Sequence, residues 1–517
     1  MIITLEKQKD ITKNERILAM KTMSKLVRLL LLVLCLSMVL SAFAACAGDE
    51  KNEQNTQDAT DAPVETGPDL DENGYIKDAL PEDLNYGREF TIFAVSGQKK
   101  HFFAEENAEG HVYQAVYKRN MTVEDRLGIE MNWVWEAGQT NKEIPTFIKK
   151  IEADYQASNE YETIISYNLV PYELVNKGLC LNLKNDDYYL DLSAPWWPSV
   201  FTDRLLYKDS IFALVNSCGY GTLTNLTAIY FNNELIEAKK LPDPYELVEN
   251  NEWNAATLKE IIKGTYEDAN KSGSVDEGDL FGLATSTEPR LTCWYVGFGA
   301  RLSDLDTNGE LILTVNNDRM TKAIDTVLDL FSTQDAMLTE KEQYTMFKEK
   351  RAIFYLSTLT LSTRMVLDNI EIKYGVAPIP KMDAEQERYY THIPNTHEAW
   401  SIPTGAPDAV ASSAFIECMA SEAYRQINDV FFETALKVRY APDERLAKMY
   451  DLVRDSISFD FLYMYKNVLQ NDVDAKIRNC FTKPDKYQWA TQWGSIGTSV
   501  QTDFDAIVSI YENQGNS

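Results

Sequence analysis

The chain has 517 residues, 44% of them hydrophobic and 25% charged, a composition that excludes both a disordered chain and a lone small binding module. At ~100–200 residues per domain the length requires two or more domains or lobes. Lys and Arg number 50 against 79 Asp and Glu, a net charge of −29; such a surface gains nothing from counterion release on phosphate backbones, which excludes nucleic acid as a partner. The 28 Tyr and 9 Trp suit a protein that stacks rings against something.

In chain order, residues 24–46 read SKLVRLLLLVLCLSMVLSAFAAC. Lys25 and Arg28 form a positive start, Leu29 to Leu40 an apolar stretch, and Ser41 to Ala45 a small-residue approach to Cys46, the pattern of a signal peptide over residues 1–45. The apolar run is shorter than the ~20 residues of a membrane-spanning helix. Phe43-Ala44-Ala45-Cys46 resembles a bacterial lipobox, with Phe43 where Leu is usual. The resemblance implies that Cys46 is diacylated, palmitate being one such acyl chain, and becomes the mature N-terminus. The polar stretch before Met23 is longer than such a signal needs, so Met1, Met20 and Met23 all stand as start codons; peptide mapping of the precursor separates them. Removing residues 1–45 takes away seven basic and three acidic residues and leaves 43 basic against 76 acidic, a net charge of −33. Residues 46–85 are polar, acidic and short of large apolar side chains, the composition of a flexible tether.

With Cys35 in the signal and Cys46 at the lipid site, Cys180, Cys218, Cys293, Cys418 and Cys480 remain. An odd number without CxxC or Cys/His clustering predicts buried thiols or one incidental disulfide, not a zinc site. β-rich runs at Phe90–Val95, Thr163–Ser166, Ile211–Val215, Ala228–Phe231 and Ile353–Leu356 alternate with helical patterns, which predicts the α/β class. Thr257-Leu258-Lys259-Glu260 matches a capping box opening a helix with Leu258, Ile261, Ile262 and Thr265 on one face. Met320, Ala323, Ile324, Val327, Leu328 and Phe331 form a second helical stripe. No repeat of 20–50 residues is present.

Catalytic signatures are absent: no G-x-S-x-G, no Walker loop, no H-E-x-x-H, and Gly297-Phe298-Gly299 lacks the third glycine of a dinucleotide fingerprint. The four histidines, His101, His111, His392 and His397, show no metal spacing and are read as satisfied or surface residues. Asp268-Ala269-Asn270-Lys271-Ser272-Gly273-Ser274-Val275-Asp276-Glu277-Gly278-Asp279 resembles an EF-hand calcium loop. Asp268, Asn270 and Ser272 would supply side-chain oxygens, Ser274 its carbonyl and Asp276 a carboxylate or bridging water. Asp279 stands where Glu normally gives the bidentate contact, and Glu277 competes for that role. A single loop points to a structural Ca2+, with an ordinary solvated acidic turn as the alternative.

From residue 88 onward the order of motifs resembles the family 1 extracellular solute-binding proteins of ABC importers, especially their large Gram-positive lipoproteins. The resemblance rests on Leu192-Ser193-Ala194-Pro195-Trp196-Trp197, on Ala228-Ile229-Tyr230-Phe231-Asn232-Asn233-Glu234-Leu235, on Leu241-Pro242-Asp243-Pro244-Tyr245 with Glu252-Trp253-Asn254, on the calcium-like loop, and on Tyr374-Gly375-Val376-Ala377-Pro378-Ile379-Pro380-Lys381. It implies a two-lobe, hinge-connected fold of the type II periplasmic-binding-protein kind, with a first α/β lobe over 86–222 and 349–420 and a second over 223–348 and 421–517. It further implies a monomeric, non-enzymatic receptor on the extracellular face of a bacterial membrane. That receptor would hold a carbohydrate, an oligosaccharide in the first instance, or another small solute between its lobes for ABC permease subunits. The rivals are a surface enzyme acting on glycans and a non-transporting sugar sensor or adhesin.

Sugar clefts of this kind pair stacking rings with amides, hydroxyls and carboxylates. On the family's pattern Tyr167 and Asn168 follow a first-lobe strand, Tyr220 lies at the first crossover, and Trp294 and Tyr295 face the cleft from the second lobe. Thr358 follows the strand Ala352–Leu356, Glu398 and Trp400 precede a strand at Ser401-Ile402-Pro403, and Trp489 and Trp493 offer rings from a C-terminal helical region. Trp196 and Trp197, bracketed by Pro195 and Pro198, read as packing residues.

Overall fold

The computed structural model describes residues 70–514 apart from 72, 73, 217, 219, 220, 287, 288, 340–343, 368–370, 396, 428, 429 and 431–443. The signal segment, Cys46 and Tyr220 lie outside the described residues. Asp69–Ser517 forms one compact unit. Its strands are β1 (Arg88–Val95), β2 (Ile129–Glu136), β3 (Thr163–Tyr167), β4 (Thr227–Asn232), β5 (Phe281–Ser286), β6 (Ser303–Leu305), β7 (Leu311–Leu313), β8 (Ala336–Thr339), β9 (Ala352–Thr358), β10 (Tyr374–Ala377), β11 (Thr391–His392), β12 (Glu398–Ser401) and β13 (Ile457–Ser458).

Two separate sheets carry the fold. The first has the order β12-β3-β1-β2 and the second β10-β4-β9-β5-β8. In the first, β1 runs parallel to β2 and β3, while β12 returns antiparallel to β3 with Glu398 opposite Tyr167. Phe90, Ile92, Phe93, Ala94 and Val95 are fully buried, the continuous apolar run of a central strand covered on both faces. The covering helices are His111–Leu127, Ile144–Ala157 and Ala409–Ala423. In the second sheet β5 is parallel to β8 and β9, while β4 is antiparallel to both β9 and β10.

Local chemistry sets the helix starts. Asn232 closes β4 and caps the helix Asn233–Lys239 by accepting the Leu235 N–H. Asp243, followed by Pro244 at the first helical position, caps Pro244–Glu249. The expected cap at Thr257 is displaced: Asn254 caps Ala255–Ile262 and accepts the Thr257 N–H, so the helix starts two residues before Thr257 and ends at Ile262. Asn317 caps Asp318–Leu330, whose Met320, Ala323, Ile324 and Val327 are buried as the stripe predicts.

Three corrections follow from the pairing. Strands β9 and β10 hydrogen-bond within the second sheet, so the segment from 349 through β10 belongs there and not to the first lobe; first-sheet structure resumes at β12. Residues 211–215 form no strand, only an isolated bridge from Leu214 to Trp400, whereas β2, which no sequence reading anticipated, is the edge of the first sheet. The tether also ends before residue 85. Asp78 is buried and bonded to Arg126 and Ser421, and Leu80 is in the core. The acidic composition hid that anchor, because Asp78 is a partner for arginines far along the chain.

The C-terminal segment touches both sides. The helix Glu444–Asp455 packs on β10, with Tyr450 sharing a hydrogen bond with Ser362, while Tyr465 and Tyr511 pack against Tyr172 and Phe212. All five cysteines from Cys180 to Cys480 are buried and unpaired.

Candidate functional site

Strands present their carboxyl ends to ligands in open α/β sheets. At that end of the first sheet the β3 terminus carries Tyr167 and Asn168, and antiparallel β12 begins there with Glu398. Short connections at this edge bring the helix Lys99–Phe102 over the strand ends, so that His101 Nδ1 lies 2.5 Å from Glu398 Oε1. Tyr167 is buried beside the same carboxylate. Burial first, and the Glu398 charge second, push its hydroxyl up to about 12, so it stays a donor at neutral pH.

The first crossover meets this group. Gly221 opens the short helix Gly221–Thr224, and a Cβ there would fall 2.4 Å from Glu398 Oε1 and 2.7 Å from Oε2; only glycine lets the crossover backbone lie against the carboxylate. The helix's other end turns to the second sheet, where the Thr224 carbonyl accepts from Thr360 Oγ1 at 3.0 Å, two residues beyond the end of β9 at Thr358. Thr358 is itself buried, with its carbonyl accepting from the Tyr230 hydroxyl. One four-residue helix thus connects the carboxylate end of one sheet with the threonine end of the other.

Arg119 braces the arrangement from behind. It is fully buried and donates to the Phe102 carbonyl at 2.9 Å, the Cys218 carbonyl at 2.8 Å and the Asn120 amide oxygen. Burial lowers its guanidinium to about 10, still a cation at neutral pH. It thereby ties together the segment bearing His101 and the crossover that leads to Gly221.

Other expected site residues go elsewhere. Asn168 donates to His397 Nε2 and Met464 Sδ and leaves Oδ1 without a partner. Trp294 packs on Phe298 and Phe331 with its indole nitrogen unpartnered, and Trp400 packs on Phe102 and Phe415; both are core rings, not cleft faces. Tyr295 bonds at 3.0 Å to Asp474, which also accepts from Thr292 and Arg478. Although burial alone would raise Asp474, Lys466 and Arg478 hold it below the usual carboxylate range. Trp489 and Trp493 pack on each other with tilted rings, centroids 5.8 Å apart, in the C-terminal helix. Trp196 and Trp197 are packing residues as read, both indoles donating to Glu417. His101, Gly221 and Arg119 were not singled out as site residues. Their only signal lies in partners far away along the chain, 297 residues in the case of His101 and Glu398.

The acidic loop folds back on itself. Gly273, at φ 74, permits the turn. Ser272 Oγ lies 3.0 Å from both Asp276 Oδ2 and the Ser274 carbonyl, Asn270 Nδ2 donates to Asp276, and Asp268 accepts from the Ser272 and Gly273 amides. Asp279 is fully buried, its Oδ2 taken by the Tyr266 hydroxyl and the Asp276 amide and its Oδ1 unpartnered. Glu277 is half-buried, its carbonyl accepting from Arg351. Among the described residues no three His, Cys, Asp or Glu side chains gather as a metal set, so a cation here would draw on Asn270, Ser272 and the Ser274 carbonyl as well as on carboxylates. That donor set is all oxygen and fits a hard cation such as Ca2+.

No protein-family model matches the chain, and no curated protein matches it in sequence. Solved structures do match. The sugar-binding protein MalE of Xanthomonas citri aligns with 82% of this chain and 98% of its own at TM-score 0.52 and 10% identity. An ABC substrate-binding protein of Listeria monocytogenes in complex with cycloalternan aligns over 81% and 98% at 0.51 and 11% identity. The cyclic α-maltosyl-1,6-maltose binding protein of Arthrobacter globiformis aligns over 82% and 99% at 0.50 and 11% identity. The chain therefore has the two-lobe, periplasmic-binding-protein-like α/β fold.

Proposed function

We propose that the chain is an extracellular receptor that captures a carbohydrate between its two sheets and delivers it unchanged to an ABC permease. The observation that carries this reading is the buried group of Tyr167, His101 and Glu398 at the strand ends of one sheet, joined by the helix Gly221–Thr224 to Thr358 and Thr360 of the other, in a fold shared with sugar-binding proteins. A solute that touches both lobes only when they are closed stabilises the closed state, and the permease reads closure. Residues 1–45 direct export, Cys46 anchors the mature monomer to the membrane by lipid, and the acidic stretch before Asp78 serves as the tether. Among the described residues no helix is long and apolar enough to cross a membrane. The loop from Asp268 to Asp279 holds a structural Ca2+ away from the solute, with Asp268, Asn270, Ser272, Ser274, Asp276 and either Glu277 or Asp279 as ligands. The chain performs no chemistry of its own.

Thermal unfolding of residues 69–517 against a panel of mono- and oligosaccharides tests the reading. A saccharide at 100 times its dissociation constant adds ~2.7 kcal/mol of stability, and the melting temperature rises while the sugar is recovered intact. Conversion of the sugar to smaller products supports a glycan-acting enzyme instead, and a flat response across the panel removes carbohydrate as the solute.

A further inference from the structure

Two buried histidines, His392 and His397, bracket the segment Ile457–Met464. Ile457 and Ser458 pair with Thr391 and His392 in a short parallel ladder, and the Tyr463 ring meets His392 edge to face with centroids 5.1 Å apart. Phe459 meets the His397 ring at 6.0 Å, and the Met464 sulfur accepts from the Asn168 amide nitrogen, which also lies 3.2 Å from His397 Nε2. Asn168 follows β3 of the first sheet, while the helix Phe461–Met464 packs on β6, beyond β5 of the second. The histidines thus sit beneath a contact between the two halves. His397 Nδ1 lies 2.9 Å from the Pro394 carbonyl, which only accepts. The neutral ring therefore carries its proton on Nδ1, and Nε2 is the acceptor for Asn168. Asn168 Oδ1 and His392 Nε2 have no hydrogen-bond partner, although Asn168 is fully buried and His392 only 4% exposed. Buried polar atoms left unmatched in a native protein call for an explanation.

We propose that His392 and His397 form a proton-operated release for this contact: Ile457–Met464 stays docked while both rings are neutral, and acid undocks it. A proton on His397 Nε2 would face the Asn168 amide nitrogen, donor against donor. The amide answers by turning over. Oδ1, unpartnered in the neutral state, then accepts from Nε2, and the N–H that held Met464 points away from it. The carboxylate beside His397 is Glu398, whose Oε1 already meets His101. Around His392, Asp474 favours the proton, but Lys466 and Arg478, both paired to Asp474, and His397 oppose it. Tyr295, Tyr463, Arg301 and Asp460 line the same small cavity as His392. Asp460 spends its oxygens on the Leu302 and Tyr463 amides and on Ser303, and Arg301 is held by Asp304. Burial therefore dominates and holds His392 down to about 3 and His397 to about 4, against an ordinary 6.5. The undocked chain takes up protons below ~6.5 that the docked one refuses, so docking is complete above that pH and is lost as pH falls toward 4. The device does not depend on which solute the protein carries.

Hydrogen exchange of residues 69–517 from about pH 7 to about pH 5, corrected for the intrinsic pH dependence of amide exchange, tests the proposal with β1 as the internal reference. The expected result is that peptides covering Ile457–Met464 lose protection about tenfold or more for each histidine while Phe90–Val95 keeps its own. H392Q and H397Q, which take up no proton, should each remove their share of that loss. Protection of Ile457–Met464 that does not change with pH, a loss shared equally by β1, or an undiminished loss in both folded variants overturns the proposal. Histidine-ring NMR of the unmodified protein decides the matter even if neither variant folds, because the chain has four histidines. Two rings should stay neutral below pH ~6, His397 with its proton on Nδ1. Four rings that all titrate near ~6.5, or a His397 proton on Nε2 at neutral pH, overturns it likewise.

Discussion

Glu417 shows how one carboxylate organises a stretch of chain. It is buried in the helix Ala409–Ala423 and receives the indole N–H of Trp196 at 2.9 Å and of Trp197 at 2.8 Å. Burial pushes its carboxyl up to about 8, against the two indole hydrogen bonds that lower it. The folded protein therefore holds a proton that the unfolded chain releases near the ordinary glutamate value of about 4.3. Stability from this group is present in acid and is lost as pH rises from there through about 8, with a slope of up to ~1.4 kcal/mol per pH unit. Urea unfolding of wild type and E417Q between pH 5 and 9 checks this: the difference in unfolding free energy should change across that window in favour of E417Q at high pH. A pH-independent difference contradicts it. At this scale the sequence was partly legible. Pro195 and Pro198 marked the two tryptophans as packing residues, whereas Glu398 and Trp400, expected ahead of a strand at Ser401-Ile402-Pro403, lie within β12 itself. His101 and Arg119 were not legible as site residues, because what they do depends on Glu398, Phe102 and Cys218 brought close only by folding.

Elements were easier to read than their ends. The Met320 stripe and the strands around Phe90, Thr163, Ala228 and Ile353 appear where apolar periodicity puts them. The edge strand β2 was missed although Ile129, Met131, Trp133 and Trp135 alternate with Glu130, Asn132 and Glu136, a period of two broken only by Val134. Trp253 and the turn after β10 belonged to separate motifs but form one packed joint, with Trp253 Nε1 donating to the Pro378 carbonyl at 2.8 Å. Much of what made the motifs recognisable is therefore packing, which is why Trp294 and Trp400 lie in the core. The acidic loop is the element with a chemistry of its own to test. Added calcium should raise the melting temperature of residues 69–517 and chelator should return it, with D268A removing the response. An equal response in D268A contradicts ligation at this loop.

For the molecule as a whole, alternating strands and helices announced the α/β class, but not which strand joins which sheet. Strands β9 and β10 pair with β4 and not with the first sheet, because sheet membership is decided by long-range pairing that periodicity does not record. Gly221, ahead of β4 of the second sheet, lies against Glu398, the first residue of β12 in the first sheet. Small-angle scattering of residues 69–517, with and without a saturating saccharide from the thermal-unfolding panel, tests this account most directly. It predicts a smaller radius of gyration in the liganded protein with the sugar recovered unaltered; an unchanged radius at saturation, or a sugar returned in fragments, contradicts it.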